Sequence, residues 1–476
     1  MLLLLTTLAP VLGGLAVGLV RPLSPRARRV GAVAVALLTA LLSALLLWRG
    51  MPGYTLLAYG EGFSLSFALD GRGRTLLAVM AFLWPLSTLY ATEYMVHEER
   101  EATFYMWFLL SYGVMIPFCC AGNLFTLYVL YEGITLATLP LVWHKKDHDS
   151  IRAARSYVRY SIGCAAFGFL AAVVLGTRGC GDFIPASHDF EDLSSGVLNA
   201  LFLAAFFGFG VKAAVFPFSA WLPRAGAAPT PVTALLHAVA VVNAGIFAVQ
   251  RVIYDVFGAE RLAGGWGQQV ALTAAALTIV FGAVMAVREH HVKRRLAYST
   301  VSNLGYMLLG AALMTPAGEL ASSMHMVNHS LIKIVLFFCV GAVMVQTGRT
   351  QAAELRGLGR RMPATFAAFL TASLSLMGIP PLAGFNSKFA LVTAAIEQGG
   401  PWALIGPGAL ILSAILTAVY TLTVAVPAFL APEDGAPVSG DRLDPGWQML
   451  LPIFAILAAM LAAGLWPGVL AAALRT

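Results

Sequence analysis

The chain has 476 residues, of which 59% are apolar and only 11% are charged, and its mean hydropathy is +0.81. Soluble domains of this length carry far more charged side chains, so the composition excludes a soluble protein and indicates an all-α integral membrane protein. The net charge of +7 is informative mainly through its distribution, because Lys and Arg mark the cytoplasmic side of a membrane protein.

Apolar runs long enough to cross a bilayer, roughly 20 residues each, recur along the whole chain. They predict about fourteen transmembrane segments in a single polytopic domain over residues 1–476. The segments begin near Leu2, Val30, Leu76, Ala102, Asn123, Ser156, Val197, Val232, Gln268, Ala297, Glu319, Ala364, Trp402 and Trp447. The first run lacks a basic start and a small-residue cleavage site, so we interpret it as segment 1 and not as a signal peptide.

The connections between segments differ in charge. Those after segments 1, 5, 9 and 11 are basic, whereas the even-numbered connections are poor in Lys and Arg, and Thr177–Leu193 is acidic. The basic residues are Arg21, Arg26, Arg28 and Arg29; Lys145, Lys146, Arg152 and Arg155; Arg288, Lys293, Arg294 and Arg295; and Arg349, Arg356, Arg360 and Arg361. The positive-inside rule therefore predicts a multi-pass protein of the cell inner membrane with odd connections in the cytoplasm and both termini on the outer side.

Between segments 2 and 3, the stretch Phe63–Leu69 alternates apolar and small residues, which is typical of a strand. The dipeptide Asp70–Gly71 follows it and favours a tight turn. We therefore expect a short β-hairpin here, with its turn at this dipeptide.

Two segments contain helix-breaking residues at membrane depth. Pro217 follows Lys212 in segment 7, and Gly378–Pro381 precedes Lys388 in segment 12. Such breaks are tolerated where they line a polar cavity. Because the breaks lie five segments apart, we expect two five-helix repeats of inverted topology, segments 4–8 at about 102–252 and segments 9–13 at about 267–430.

Few ionisable residues remain inside the predicted segments once the connections are assigned. A charge at the centre of a membrane helix costs about 2.5 to 3.5 kcal/mol, so these residues are expected to pair or to face a hydrated interior. They are Glu132, Arg159, Lys212, His237, His325, His329, Lys333 and Lys388. We interpret Glu132 as the sole buried carboxylate and Lys212 as its partner in a switchable pair, with a purely structural ion pair as the alternative.

Segment 11 carries His325, His329 and Lys333 at successive i, i+4 positions, which places three titratable groups on one helical face. A single histidine such as His237 is as readily explained by packing, but the series favours a proton relay. A lateral relay needs an interruption of this helix, so we expect a break or π-bulge near His329. Lys388 either lines the segment 12 break or snorkels to the interface.

Arg159 lies near the start of segment 6, behind the basic connection. An arginine there can snorkel to anionic lipid headgroups, so we leave it out of the pathway.

The chain shows no sequence signal for a metal or a cofactor. Its five cysteines form no CxxC pair and have no zinc or iron–sulfur spacing, and no glycine-rich loop lies between a strand and a helix. We therefore expect neither a bound metal nor a cofactor, and no redox centre within this chain.

At this point the residues match a known family. Four stretches carry the likeness: Lys212–Arg251, Val292–Met307, the segment 11 series, and Gly378–Lys388. The sequence resembles the antiporter-like, proton-translocating subunits shared by respiratory complex I, Mrp-type Na+/H+ antiporters and membrane-bound energy-converting hydrogenases.

The resemblance implies a role for each candidate residue. Glu132 and Lys212 look like the glutamate–lysine pair, and Lys388 looks like the outlet lysine. The residues that look like the central hydrophilic axis are His237, His325, His329 and Lys333. Two positions depart from some family members: Asn243 stands where many carry a lysine, and Cys164 stands near a carboxylate of one branch. The central lysine role then falls to Lys333 and the histidines.

The resemblance also implies a function. The chain is expected to move protons, or Na+ and protons, as one subunit of a multisubunit membrane complex, in contact with lipid and other membrane subunits, among them iron–sulfur or hydrogenase subunits. The alternative is a dedicated Mrp-type antiporter subunit without redox partners. A passive scaffold is disfavoured, because it needs no line of buried titratable groups.

Overall fold

A computed structural model describes residues 1–20, 23–60, 62–184, 188–431 and 441–475, so Arg21 lies outside the described residues. The described part is a helical bundle with one small sheet. Its helices are α1 (Leu2–Leu19), α2 (Pro25–Arg49), α3 (Gly71–Tyr94), α4 (Glu101–Cys119), α5 (Leu124–Val142), α6 (His148–Gly176), α7 (Ser195–Gly210), α8 (Trp221–Ala225), α9 (Thr230–Ala238), α10 (Val241–Gln250), α11 (Ala259–Leu262), α12 (Trp266–Arg288), α13 (Val292–Ala312), α14 (Pro316–Thr347), α15 (Leu358–Arg361), α16 (Pro363–Met377), α17 (Ala383–Gln398), α18 (Gly400–Ala425), α19 (Trp447–Leu465) and α20 (Pro467–Leu474).

Eleven helical stretches of the described residues are long and apolar enough to cross a membrane, and α7 and α16 are shorter apolar helices. This confirms the expected class of an integral membrane protein with many apolar helices. A π-helix continues α10 over Arg251–Phe257. The helices α9 and α10 and this π-helix form a single stretch, and its most apolar part is entirely buried inside the bundle.

The small sheet is a hairpin of β1 (Tyr54–Gly60) and β2 (Phe63–Phe67), which pair antiparallel with Gly60 opposite Phe63. The expected position of its turn was wrong, because the strands connect between Gly60 and Phe63. Asp70 instead caps α3 by accepting a hydrogen bond from the backbone N–H of Gly73 at 2.9 Å. An Asp immediately before a helix satisfies an otherwise unpaired backbone N–H. The dipeptide Asp70–Gly71 therefore begins α3 and does not form the hairpin turn.

Several connections meet one another in two separate groups. On the side that we call the hairpin face, the β2 strand pairs with Ala121, and Asn123 pairs with Asp182. On the other side, the basic face, one cavity is lined both by Arg152 and by His291. The hairpin face thus joins connections that follow even-numbered predicted segments, and the basic face joins those that follow odd-numbered ones.

One basic connection is shorter than expected. Lys293 and its two neighbours lie in the first turn of α13, because this helix begins at Val292. The Lys293 side chain is 4% exposed, and its ammonium group donates a hydrogen bond to the carbonyl of Ala228. From the sequence, this basic run was assigned to a connection between segments. In the structure the run belongs to a helix, and the side chain of Lys293 points into the protein.

Helix interruptions lie around α14 and not within it. This helix runs unbroken for 32 residues, so the break expected near His329 was wrong. The facing segment is interrupted instead, between α9 and α10. The hydroxyl of Ser330 donates to the carbonyl of Ala238, the last residue of α9, at 2.6 Å. A side chain of α14 therefore satisfies a backbone group at the interruption.

Candidate functional site

Lys212 lies in the non-helical stretch that separates α7 from α8. Its side chain is fully buried, and its ammonium group donates to the carbonyl of Tyr131 and lies 3.5 Å from the centre of the Tyr131 ring. The ring is held in turn by a hydrogen bond from its hydroxyl to the carbonyl of Phe209, at 2.6 Å. The lysine is therefore stabilised by a carbonyl dipole and an aromatic face.

Glu132 follows Tyr131 on α5, so the structure brings the predicted pair onto adjacent parts of the bundle. Within the described residues, however, no salt bridge joins Glu132 to Lys212. The Oε1 atom of Glu132 is buried and has no hydrogen-bond partner among those residues. A buried carboxylate oxygen without a partner is costly, so this atom is poised to accept a proton, a water or the lysine.

Close backbone packing holds the break beside Lys212. A Cβ atom added to Gly245 of α10 would lie 2.3 Å from the backbone nitrogen of Ala213. Only glycine allows this approach, so α10 seals one side of the break. Trp221 closes another side, because its indole N–H donates to the carbonyl of Val211 at 2.8 Å.

His237 occupies the last turn of α9 and is fully buried. Its ring lies 5.2 Å from that of Phe337 on α14, and neither ring nitrogen has a hydrogen-bond partner among the described residues. A neutral imidazole needs one donor and one acceptor, so two open positions in the interior indicate a site that water can serve.

The series on α14 points into the same interior. His325 is hydrogen-bonded through Nδ1 to the Ser387 hydroxyl at 2.9 Å and through Nε2 to Oδ1 of Asn303 at 3.2 Å. The ring of His329 lies 6.3 Å from that of His325, and both of its nitrogens are unpartnered among the described residues. Lys333 donates to the carbonyl of Leu296 at 3.2 Å and to the hydroxyl of Ser299.

Lys388 lies on α17, just after the second break, and is 8% exposed. Its ammonium group donates to the carbonyls of Leu376 and Met377 at 2.6 and 3.2 Å. These carbonyls end α16 and lack the helical partners that an unbroken helix would supply. Gly378 makes the arrangement possible, since it adopts φ +94° and an added Cβ would lie 3.2 Å from the Lys388 side chain.

Three of the buried lysines, those predicted as site residues, share one property. Lys212, Lys333 and Lys388 contact carbonyls, a hydroxyl and aromatic rings, and no salt bridge involves them within the described residues. A lysine that is not tied to a carboxylate can change its protonation state without breaking an ion pair. Arg159, in contrast, is exposed on α6.

Sequence reasoning missed a charged cluster at the hairpin face. Arg251 is 1% exposed and pairs with Asp70 and, at 2.7 Å, with Asp255. Arg72 pairs with Asp255 and with Glu319. The interpretation of Glu132 as the sole buried carboxylate was therefore wrong, because Asp255 is 8% exposed within an apolar stretch. The i, i+4 spacing of Arg and Asp was the available signal.

The sequence is similar to a known family and to several known proteins. Residues 121–425 match the sequence family described as NADH:quinone oxidoreductase/Mrp antiporter, TM. The chain is 32% identical to NADH-quinone oxidoreductase subunit N of Desulforudis audaxviator, over 88% of this chain and 85% of that protein. It is also 32% identical to hydrogenase-4 component B of Escherichia coli, over 75% of this chain and 55% of that protein. The chain thus spans little more than half of that second relative.

Three solved structures are similar over nearly the whole chain. A chain of the archaeal membrane-bound sulfane sulfur reductase superimposes with a TM-score of 0.88 at 23% identity, covering 99% of this chain and 96% of that one. A chain of the Mrp complex from Dietzia sp. gives 0.84 at 23%, covering 99% and 95%. A chain of respiratory complex I from Thermus thermophilus gives 0.83 at 24%, covering 100% and 97%. At these identities the likeness shows a shared fold.

Proposed function

Because this chain belongs to the NADH:quinone oxidoreductase/Mrp antiporter family, we propose that it translocates protons, or Na+ and protons, as an antiporter-like subunit of a multisubunit membrane complex. The ion moves along one set of buried groups. These are Glu132, Lys212, His237, His325, His329, Lys333 and Lys388.

One observation carries the proposal: the buried lysines and histidines contact neutral acceptors or have unpartnered polar atoms. Intramembrane charge is expensive and persists mainly where it serves an ion path. Polar atoms without protein partners need water, and a hydrated line of titratable groups can hand protons onward. A scaffold would gain nothing from these groups.

The finer architecture belongs to the same proposal. Fourteen spans and two inverted five-helix repeats, at about 102–252 and about 267–430, are supported by two similarly placed interruptions, one between α7 and α8 and one between α16 and α17. Each interruption lies beside a buried lysine. The grouping of basic connections on one face supports an inner-membrane protein with both termini outside.

The partners are other membrane subunits of the complex. Iron–sulfur or hydrogenase subunits fit if this chain serves a redox machine, as the relatives from a quinone oxidoreductase and a hydrogenase suggest. A dedicated Mrp-type antiporter is the second candidate, and the similarity to a chain of the Mrp complex supports it equally.

The test compares two lysine variants in the assembled complex, in sealed membrane vesicles, with a pH-sensitive dye as the readout. Lys333→Met should remove proton movement, because it deletes a buried carrier. Lys146→Met alters an exposed lysine of the basic face and should behave as the parent. Native gels check assembly in each case. Normal assembly together with parental ion movement in Lys333→Met would refute the proposal, and repeating the assay with and without Na+ separates the two ions.

A further inference from the structure

A cavity of about 550 Å³ opens at the hairpin face, where the π-helix ends and α14 begins. Its lining includes Tyr254, Met314, Pro316 and Glu319. Glu319 lies in the first turn of α14, and its side chain is 24% exposed. The carboxylate therefore contacts both the cavity and the protein interior.

One residue that lines this cavity, Glu319, belongs to the charged cluster described above. Its carboxylates are Asp70, Asp255 and Glu319, and its guanidiniums are Arg72 and Arg251. Three negative charges against two positive ones leave a net charge of −1, which attracts protons from the hairpin side. Arg72 is shared between Asp255 and Glu319, and its Nε donates to Glu319 at 2.6 Å. One guanidinium can thus release Glu319 while it keeps its other carboxylate.

Polar side chains continue inward from Glu319 along α14. Ser322 and His325 follow at three-residue steps, so the distance along the helix axis from Glu319 to His325 is about 9 Å. The hydroxyl of Ser322 accepts from the Gln250 amide at 3.1 Å and donates to the carbonyl of Met307 at 2.7 Å. A hydroxyl that both accepts and donates can pass a proton onward when its donor direction rotates.

Gln250 fixes this part of the route from the opposite side. Its amide also donates to the hydroxyl of Ser323 at 3.2 Å, so one side chain of α10 holds two serines of α14. Gln250 does not carry the proton in this arrangement. It is a positioning residue that holds the hydroxyl of Ser322, which lies between Glu319 and His325 in the order of residues along α14.

We propose that Glu319, Ser322 and Gln250 form the access route between the hairpin face and His325, with the Arg72–Glu319 ion pair as its gate. The inference rests on the proposed proton movement and deepens it. When Arg72 turns to Asp255 alone, the Nε2–H of a protonated His325 gives its proton through water to the Ser322 hydroxyl, which passes its own proton to Glu319. The Glu319 carboxylic acid then releases that proton to water in the cavity, and neutral His325 remains.

The first arm of the test measures proton movement in vesicles of the assembled complex. Glu319→Gln removes the proton acceptor, and Ser322→Ala removes the relay hydroxyl, so each should lower the rate about tenfold or more. Glu319→Asp keeps a titratable group and should restore part of the rate. The matched control is Glu260→Gln, because Glu260 lines the same cavity but lies on α11 and not on α14. Parental rates in both Glu319→Gln and Ser322→Ala would overturn the route.

The second arm does not depend on ion movement. Ser322→Cys and Ser302→Cys both replace fully buried serines, but Ser302 hydrogen-bonds to Ser413 away from the cavity. With the five native cysteines replaced, a charged, membrane-impermeant thiol reagent added from the hairpin side should label the first and spare the second. Equal protection of both would contradict the route. If Ser322→Cys is labelled while Lys333→Met still moves protons normally, the access route stands and the wider proposed function fails.

Discussion

The side-chain amide of Asn243 donates a hydrogen bond to the hydroxyl of Ser330, with 2.9 Å between Nδ2 and Oγ. Because Ser330 also donates to the carbonyl of Ala238, this pair ties unbroken α14 to the interruption between α9 and α10. The chain thus uses a neutral amide at a position where a lysine would add another buried cation. Its oxygen, Oδ1, remains without a partner among the described residues.

Asn243→Leu should therefore destabilise the protein. Interhelical hydrogen bonds inside membranes contribute about 0.6 kcal/mol on average and up to about 1.7 kcal/mol. We expect a loss in this range, measured by reversible unfolding in detergent. Thr273→Val is the control, because the Thr273 hydroxyl bonds only to the carbonyl of Gln269 in its own helix. Equal losses in the two variants would show that the Asn243 bond has no special role.

Tyr131 should matter to Lys212 through its ring more than through its hydroxyl. Tyr131→Phe keeps both the aromatic face and the backbone carbonyl that the ammonium contacts, whereas Tyr131→Leu removes the face. Loss of a desolvated cation–π contact costs about 2 kcal/mol, so we expect the leucine variant to translocate ions more slowly than the phenylalanine variant. Equal rates measured in vesicles would argue against the ring as a partner.

Glu132 and Lys212 should show energetic coupling, although they form no salt bridge in this structure. We expect Glu132→Gln and Lys212→Met each to reduce ion movement, and the double variant to be little worse than either, because both act in one switch. A double-mutant cycle on the transport rate measures this. Additive effects would mean independent roles, and no effect in either single variant would mean that the pair is structural.

Gly378→Ala should impair transport by displacing Lys388. The new Cβ would stand 3.2 Å from the lysine side chain at a residue with φ +94°, where an L side chain costs roughly 1 to 2 kcal/mol. Gly408→Ala is the matched control, since nothing lies within 4 Å of its added Cβ and it sits inside α18. We expect slower ion movement only in the first variant, with assembly followed on native gels.

The hairpin face should lose stability in acid through Asp70. Burial alone would raise the pKa of Asp70, but hydrogen bonds and the charge of Arg251 outweigh it and hold the pKa below its usual value. A lowered folded-state pKa contributes stability above the unfolded value, about 3.9, and that contribution is lost as the pH falls through the folded value. Asp70→Asn should therefore show a shallower loss of melting temperature below about pH 4. An unchanged acid profile would exclude this pair as the cause.

The apolar helices and the buried lysines could be predicted from the sequence, because hydropathy and isolated charges are one-dimensional signals. The partners of those charges could not be predicted from the sequence. Nothing in the sequence shows that Lys388 reaches the last carbonyls of α16, or that Lys212 lies on an aromatic ring, since these contacts follow from where the helices break. Arg251 and Asp255 were overlooked for a related reason. They lie at the end of an apolar run, where charges are normally assigned to a connection.

Hydropathy could not predict the location of the π-helix either. Its composition is that of an ordinary apolar segment end. The irregularity was expected on α14 instead, near His329, because a lateral relay along that helix was thought to need an interruption. In the fold, the polar face of α14 needs no irregularity, because its neighbours supply the exposed carbonyls and the interruptions.

At 32 residues, α14 is a rod of about 48 Å, longer than the roughly 30 Å hydrocarbon core of a bilayer. The interrupted stretches α9–α10 and α16–α17 both pack against it. If the interruptions act as hinges, they would move beside a helix that keeps its shape. The spacing of the groups on α14 would then stay constant through a working cycle, and only the partners presented by the hinged segments would change. The helix α14 would then be the fixed part of the path, and the order in which those hinges move would set the direction of transport.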